Sequence, residues 1–106
     1  MATWYERIIS AHTAVTTAVS HAKRLKSERY FVWQEEGRND LEANGRHIEK
    51  AQHGSTDLFT KQEFDPWKEQ FEAALSLYDI AWSLHSTQFE PDTGFWHYEW
   101  TWSVRY

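Results

Sequence analysis

A chain of 106 residues, 41% hydrophobic and 25% charged, can build one domain-sized core and is too apolar for wholesale disorder. Its formal charge of −5 argues against a generic binder of nucleic acid or of an anionic membrane surface, since either needs a basic face. The absence of cysteine excludes disulfides, zinc–thiolate centres and a cysteine nucleophile within the chain.

No stretch approaches the roughly 18–20 apolar residues needed to span a bilayer, and Glu6 and Arg7 interrupt the first apolar run, so no signal-peptide core is expected. A soluble protein acting in a cytoplasm is the expectation. The unusual feature is the 17% aromatic content, with seven Trp, five Tyr and six Phe. Each such side chain removes about 150–250 Å² from water when fully buried, so a few of them can supply much of a small core.

Residues 3 to about 23 read as an amphipathic helix. Thr3 with Glu6 forms a capping-box pattern. Trp4, Ile8, Ala11, Val15, Ala18 and Ala22 follow helical spacing, widened by Ile9 and Val19. Thr13, Thr16 and Thr17 weaken local propensity, so tertiary packing must hold this helix. His12 beside the stripe reads as a packing or boundary residue rather than a ligand. The basic run from His21 to Lys26 suits a solvated helix C-terminus, where cations meet the macrodipole favourably.

Arg29 to Glu35 predicts a strand with Tyr30 and Val32 on one face and Phe31 and Trp33 on the other. Apolar groups on both faces suggest a central strand, or one covered on its second side. Gly37 to Gly54 is polar and reads as a long charged excursion, with a type I′ turn signal at Asn44-Gly45 and a short strand near His47 to Gln52. Asp40, Glu42, His47 and His53 fit no metal-ligand spacing, so this stretch is expected to be solvated or partner-facing, with no metal and no cofactor.

Ser55 to Glu63 predicts another strand around Leu58 and Phe59. Phe64-Asp65-Pro66-Trp67 then opens a helix, with Asp65 as N-cap and Pro66 at the first helical position, where its missing N–H costs nothing. Trp67, Phe71, Ala74, Leu75 and Tyr78 form its apolar stripe, and Asp79 marks its exit.

Ile80 to Glu90 and Phe95 to Tyr106 read as a hairpin. The closing strand alternates strictly, with Trp96, Tyr98, Trp100, Trp102, Val104 and Tyr106 on one face. A three-residue loop with Gly94 in the left-handed region would set Pro91 opposite Phe95. Leu84 then meets Trp102, Trp82 meets Val104 and Ile80 meets Tyr106, while Phe89 meets His97, Thr87 meets Glu99, His85 meets Thr101 and Ser83 meets Ser103. A slip by one residue would set Leu84 against Thr101 and mix the faces, so the pattern selects the parity.

The whole is expected to be one domain, residues 1–106 with the polar excursion at 37–54. Its class is α+β, a two-layer arrangement in which a mainly antiparallel sheet of four or five strands packs against two helices in the order α-β-(β)-β-α-β-β.

No dinucleotide, phosphate-loop, nucleophile-elbow or zinc-protease motif occurs. Ser83, His85 and Glu99 read as ordinary polar cross-strand pairs, and no enzyme is expected. Trp82, Trp100 and Trp102 read as core beneath the helices. The partner-contact candidates are Arg38, Asn39, Asp40, Glu42, Asn44 and Arg46 in the polar stretch, with Phe89, Phe95, Trp96 and Tyr98 near the hairpin tip. An alternative use of the tip aromatics is a platform for a small ligand or glycan.

Three stretches resemble the phage tail-completion, or tail-terminator, family. Ser27 to Gln34 is similar to its first strand after the leading helix. Ser55 to Lys61 running into Asp65 to Leu75 is similar to its central strand and helix, and Trp96 to Val104 to its closing strand. The resemblance implies a small α+β subunit of a phage or prophage with no cofactor and no catalysis. It implies assembly into a ring, hexameric in the best-known members, with tail-tube and head–tail connector proteins as partners. The location implied is the host cytoplasm and the virion. No nucleic-acid or membrane partner is expected, on the acidic net charge and the lack of a long apolar stretch.

Overall fold

The leading helix, α1, spans only Trp4–Thr13. Its capping box forms as expected, the Thr3 hydroxyl accepting the Glu6 N–H at 3.1 Å and the Glu6 carboxylate accepting the Thr3 N–H at 3.2 Å. The predicted continuation to residue 23 does not occur. The Thr16 hydroxyl accepts the N–H of Ala18, offering the backbone a turn in place of the helix. Val19–His21 then forms strand β1, paired in parallel with Phe31–Trp33. Ladder bonds along a sheet edge outweigh the weak helix preference of the threonine run. The basic run is therefore a connection rather than a helix end.

The computed structural model describes residues 2–43 and 46–106, with side chains for all of these except 38–43 and 46–49. Strand β2, Arg29–Ala43, pairs antiparallel with β3, Arg46–Thr60. The polar stretch continues both strands, and the short strand expected near His47 to Gln52 is the start of β3. The turn expected at Asn44-Gly45 lies outside the described residues. Helix α2, Trp67–Leu77, follows, then β4, Ala81–Glu90, and β5, Phe95–Arg105. The sheet order is β1-β2-β3-β5-β4, so β2 is flanked on both sides, as its two apolar faces imply. Two helices and a five-stranded mixed sheet make an α+β fold.

The core lies between the helices and one sheet face, where Ile8, Phe31, Leu58, Phe71, Leu75, Trp100 and Val104 are fully enclosed. A smaller cluster of Tyr30, Val32 and Phe59 occupies the opposite face. The connection from Ala22 to Glu28 reaches across that face, laying the Arg24 guanidinium 4.1 Å from the Phe59 ring centre.

Helix α2 ends as the sequence suggests. Asp79 takes φ +58, and the Ile80 N–H donates to the Leu75 carbonyl at 2.9 Å while the Asp79 N–H donates to Ser76 at 3.1 Å, a Schellman ending. Arg7 binds this ending to the rest of the fold, donating to the carbonyls of Tyr78, Asp79 and Arg105.

The β4–β5 register differs from the expected one. Gly94 has φ +76, as expected, but the loop runs Pro91 to Gly94 and Glu90 pairs with Phe95. Pro91, with no N–H to offer a ladder, falls into the turn. Alone, that one-residue slip would put Leu84 against Thr101. A bulge at His85 restores the parity, so Leu84 pairs with Trp100 and Trp82 with Trp102.

Candidate partner-binding surfaces

The hairpin tip is stitched to the loop before α2. The Lys61 ammonium donates to the Thr93 carbonyl and lies 4.3 Å from the centre of the Phe95 ring. The four tip aromatics separate. Phe89 and Trp96 pair across the strands with ring centres 4.9 Å apart and planes inclined by 49°, so they offer no single flat platform. Phe95 lies on the opposite face with Tyr30 and Phe59. Tyr98 is 5% exposed and belongs to the core, which corrects its place among the contact residues. Helix-side packing reaches one residue pair further along β5 than the strand pattern alone can show. Burial raises the Tyr98 phenol, with Glu69, Asp65 and Glu63 adding to the effect.

The second predicted group stands at the other end of the sheet. Thr60 pairs with Trp96 at the tip end, whereas Ala51 pairs with Arg105 at the far end. Beyond Ala51, β2 and β3 continue as a two-stranded arm that β5 does not accompany. Arg38, Asn39, Asp40, Glu42 and Arg46 are placed along this hairpin by their backbone, and Asn44 lies outside the described residues. The two candidate groups are thus not one site.

On the face opposite the helices, His97 sits between two carboxylates. Its Nε2 is 3.0 Å from Asp57 and its Nδ1 3.5 Å from Glu90, and its ring stacks on Phe59 at 4.3 Å. The hydrogen bond with Asp57 raises the imidazole pKa against the opposing effect of burial. His12 is the reverse case, wholly enclosed and lowered to about 4 by burial. Its Nδ1–H donates to the Ile8 carbonyl at 2.6 Å, and its Nε2 accepts from the Thr56 hydroxyl, which in turn accepts from the Trp102 indole at 2.9 Å. That chain of bonds requires the neutral Nδ1–H tautomer and leaves no lone pair for a ligand.

Asp65 ties β2, β3 and α2 together. Its side chain is fully enclosed and accepts from Arg29 Nε at 2.8 Å, Arg29 Nη2 at 2.5 Å, the Thr60 hydroxyl at 2.7 Å and the Trp67 N–H at 2.9 Å. Burial pushes the carboxyl pKa up, but these donors together outweigh it and leave the value lowered. Between Thr60 and Asp65 the chain loops outward. Phe64 there has φ +56 and is 85% exposed. A non-glycine residue in the left-handed region costs roughly 1–2 kcal/mol.

Sequence reasoning passed over Phe64 as part of the helix opening. A signal was available. An apolar residue before an N-cap ordinarily packs on the fourth helical position, and counted from Asp65 that position is Glu69. At the other end of α2, Ser76, Asp79, Ile80, Ala81, Ser103 and Arg105 line a cavity of about 560 Å³.

Ser83 pairs with Thr101 and Ser86 with Glu99, while His85 takes the extra position of the bulge, so the expected pairs of Ser83 with Ser103, His85 with Thr101 and Thr87 with Glu99 do not form. Among the described residues no group of three or more His, Asp or Glu side chains is arranged to hold a metal, and no helix is long and apolar enough to cross a membrane.

No protein-family model and no curated protein matches the chain. Among solved structures it is similar to a chain from the virion of a native gene transfer agent particle. The TM-score is 0.55 at 11% identity, over 95% of this chain and 89% of that one.

Proposed function

We propose that this chain is a non-enzymatic structural subunit of a phage or phage-like particle, acting as a tail-completion subunit that joins the tail tube to the head connector. The carrying observation is the end-to-end likeness of its fold to a chain of a gene transfer agent virion. The likeness extends over 95% of this chain and 89% of that one. The tail-completion assignment rests further on the strand and helix stretches from Ser27 to Gln34, Ser55 to Lys61, Asp65 to Leu75 and Trp96 to Val104. Its partners in this reading are other particle proteins, and its location is the virion and the cytoplasm in which particles assemble.

Two features support assembly. The β2–β3 arm projects past the end of β5, and the molecule is elongated, 51 Å in its longest dimension against 25 and 21 Å. A projecting ribbon offers unpaired strand edges to a neighbour. Deletion of the gene from its particle-producing host tests the reading by electron microscopy. Filled heads separated from tails are the expected outcome. Normally joined particles would overturn the tail-completion role, and absence of the protein from purified particles would overturn the structural role altogether.

A further inference from the structure

We propose that His97 is a proton-operated clasp: in its protonated form it ties β3 and β4 together across β5, and on losing the proton it lets go of the hairpin tip at Glu90.

The arrangement is lateral. Asp57 on β3, His97 on β5 and Glu90 at the end of β4 bridge three neighbouring strands, with Nε2 3.0 Å from Asp57 Oδ1 and Nδ1 3.5 Å from Glu90 Oε2. A neutral imidazole carries one N–H, and its other nitrogen presents a lone pair. It can donate to one of these carboxylates and must turn the lone pair to the other. Only the imidazolium donates to both. The side chains of His97, Asp57 and Glu90 are 23%, 28% and 29% exposed, which limits screening of their charges and still leaves the ring open to protons from solvent.

The charge around the ring leans the same way. Glu99 on β5 adds a third carboxylate. Arg24, from the connection that crosses this face, comes within 4.0 Å of Glu90 Oε1, and Tyr30 on β2 hydrogen-bonds that guanidinium. The Lys61 ammonium at the tip is engaged by the Thr93 carbonyl and the Phe95 ring. With His97 neutral, the carboxylates of Asp57, Glu90 and Glu99 are left with the guanidinium of Arg24, and the proton on His97 supplies a second cation among them.

Glu90 is the partner that yields. Its contact is the longer of the two, and it closes β4 where the chain enters the turn. The turn is built on this residue. The Glu90 carbonyl accepts the N–H of Gly94 at 2.8 Å and of Thr93 at 3.3 Å, and its carboxylate accepts the Thr93 hydroxyl at 3.0 Å. The proton on His97 is thereby coupled to the firmness of the tip that carries Phe89 and Trp96.

The hydrogen bond with Asp57 raises the imidazole pKa in the folded chain. The clasp is therefore closed below the reference value of 6.5 and opens as pH rises through the raised one. His12 acts in the opposite direction and on global unfolding, because burial lowers it and its partners Ile8 and Thr56 lie in the core.

Imidazole NMR and amide hydrogen exchange on the intact chain test this. The Gly94 amide, measured as protection relative to an unstructured chain, should lose protection as pH rises, with the midpoint of the His97 titration. The loss should be about tenfold for each pKa unit by which the closed tip raises His97 above the open one. Glu90→Gln should abolish the dependence, because an amide can accept from the imidazolium and donate to the neutral ring. His97→Gln should abolish it as well, and Glu90→Gln alone decides the matter if that second variant does not fold. A contact that serves structure only would lower protection by one factor at every pH. That uniform loss, a His97 midpoint at or below 6.5, or Gly94 protection unchanged across the titration would each overturn the clasp.

Discussion

Arg29 clasps Asp65 with two parallel hydrogen bonds while its guanidinium lies 3.7 Å from the Trp67 ring centre. The carboxylate is enclosed and the arginine is 36% exposed, so only one partner of the ion pair has left water. That asymmetry reduces the cost of burying the pair, and the Thr60 hydroxyl and Trp67 N–H occupy the remaining acceptor sites of the carboxylate.

Asp65→Ala should therefore remove a helix cap and strand the Arg29 fork together. A cap is worth about 1 kcal/mol and breaking a buried pair about 3–5 kcal/mol, with the half-exposed arginine favouring the lower end. A loss of about 3 kcal/mol in urea unfolding is expected, and a loss below 1 kcal/mol would contradict the geometry. The acid limb follows the same carboxylate. Its folded pKa lies below its unfolded value, so its stabilisation is complete above the unfolded pKa and is lost as pH falls toward the folded one. Asp65→Asn should flatten that part of the pH profile.

His12 governs a higher pH window. Its folded pKa is about 4 against a reference of 6.5, so the unfolded chain takes up a proton that the folded chain refuses. Stability should be highest above pH 6.5 and should fall as pH drops toward 4, by an amount of about 3 kcal/mol at one pKa unit per 1.36 kcal/mol. Imidazole resonances followed by NMR check this directly: one histidine should stay neutral down to about pH 5. Thr56→Val should leave His12 Nε2 and the Trp102 indole N–H without a partner, at about 1–3 kcal/mol for a stranded buried group.

Gly54 is small because two neighbours occupy the space a Cβ would take. A methyl group there would overlap the Trp102 ring and meet the Gln34 carbonyl oxygen at 2.5 Å. The carbonyl belongs to a paired strand and cannot withdraw. Gly54→Ala should destabilise by about 1–3 kcal/mol, the range for overpacking, in spite of alanine's gain in chain entropy. Thermal melting checks it, and an unchanged or raised midpoint would contradict the close approach of the Gln34 carbonyl and the Trp102 ring to this position.

The sequence by itself determined whatever depends on neighbours along the chain. The capping box of Thr3 and Glu6, the exit at Asp79 and the left-handed Gly94 are each set within a few residues, and each occurs as read. The alternation from Trp96 to Val104 also determined which face of β5 is apolar, because side-chain parity is a property of the strand alone. Only the tertiary structure decided where α1 ends. The edge of β2 supplied hydrogen bonds that drew Val19–His21 out of a helical spacing, and that edge is remote in sequence. The same holds for the His85 bulge, which reconciles a turn at one end with packing at the other, and for the burial of Tyr98 beneath the helix layer. The partner-contact candidates divide on this line. Their residue types were legible, but their placement at opposite ends of the sheet follows from the pairing of β3 with β5, and Phe64 stands exposed in the loop between Thr60 and the enclosed Asp65.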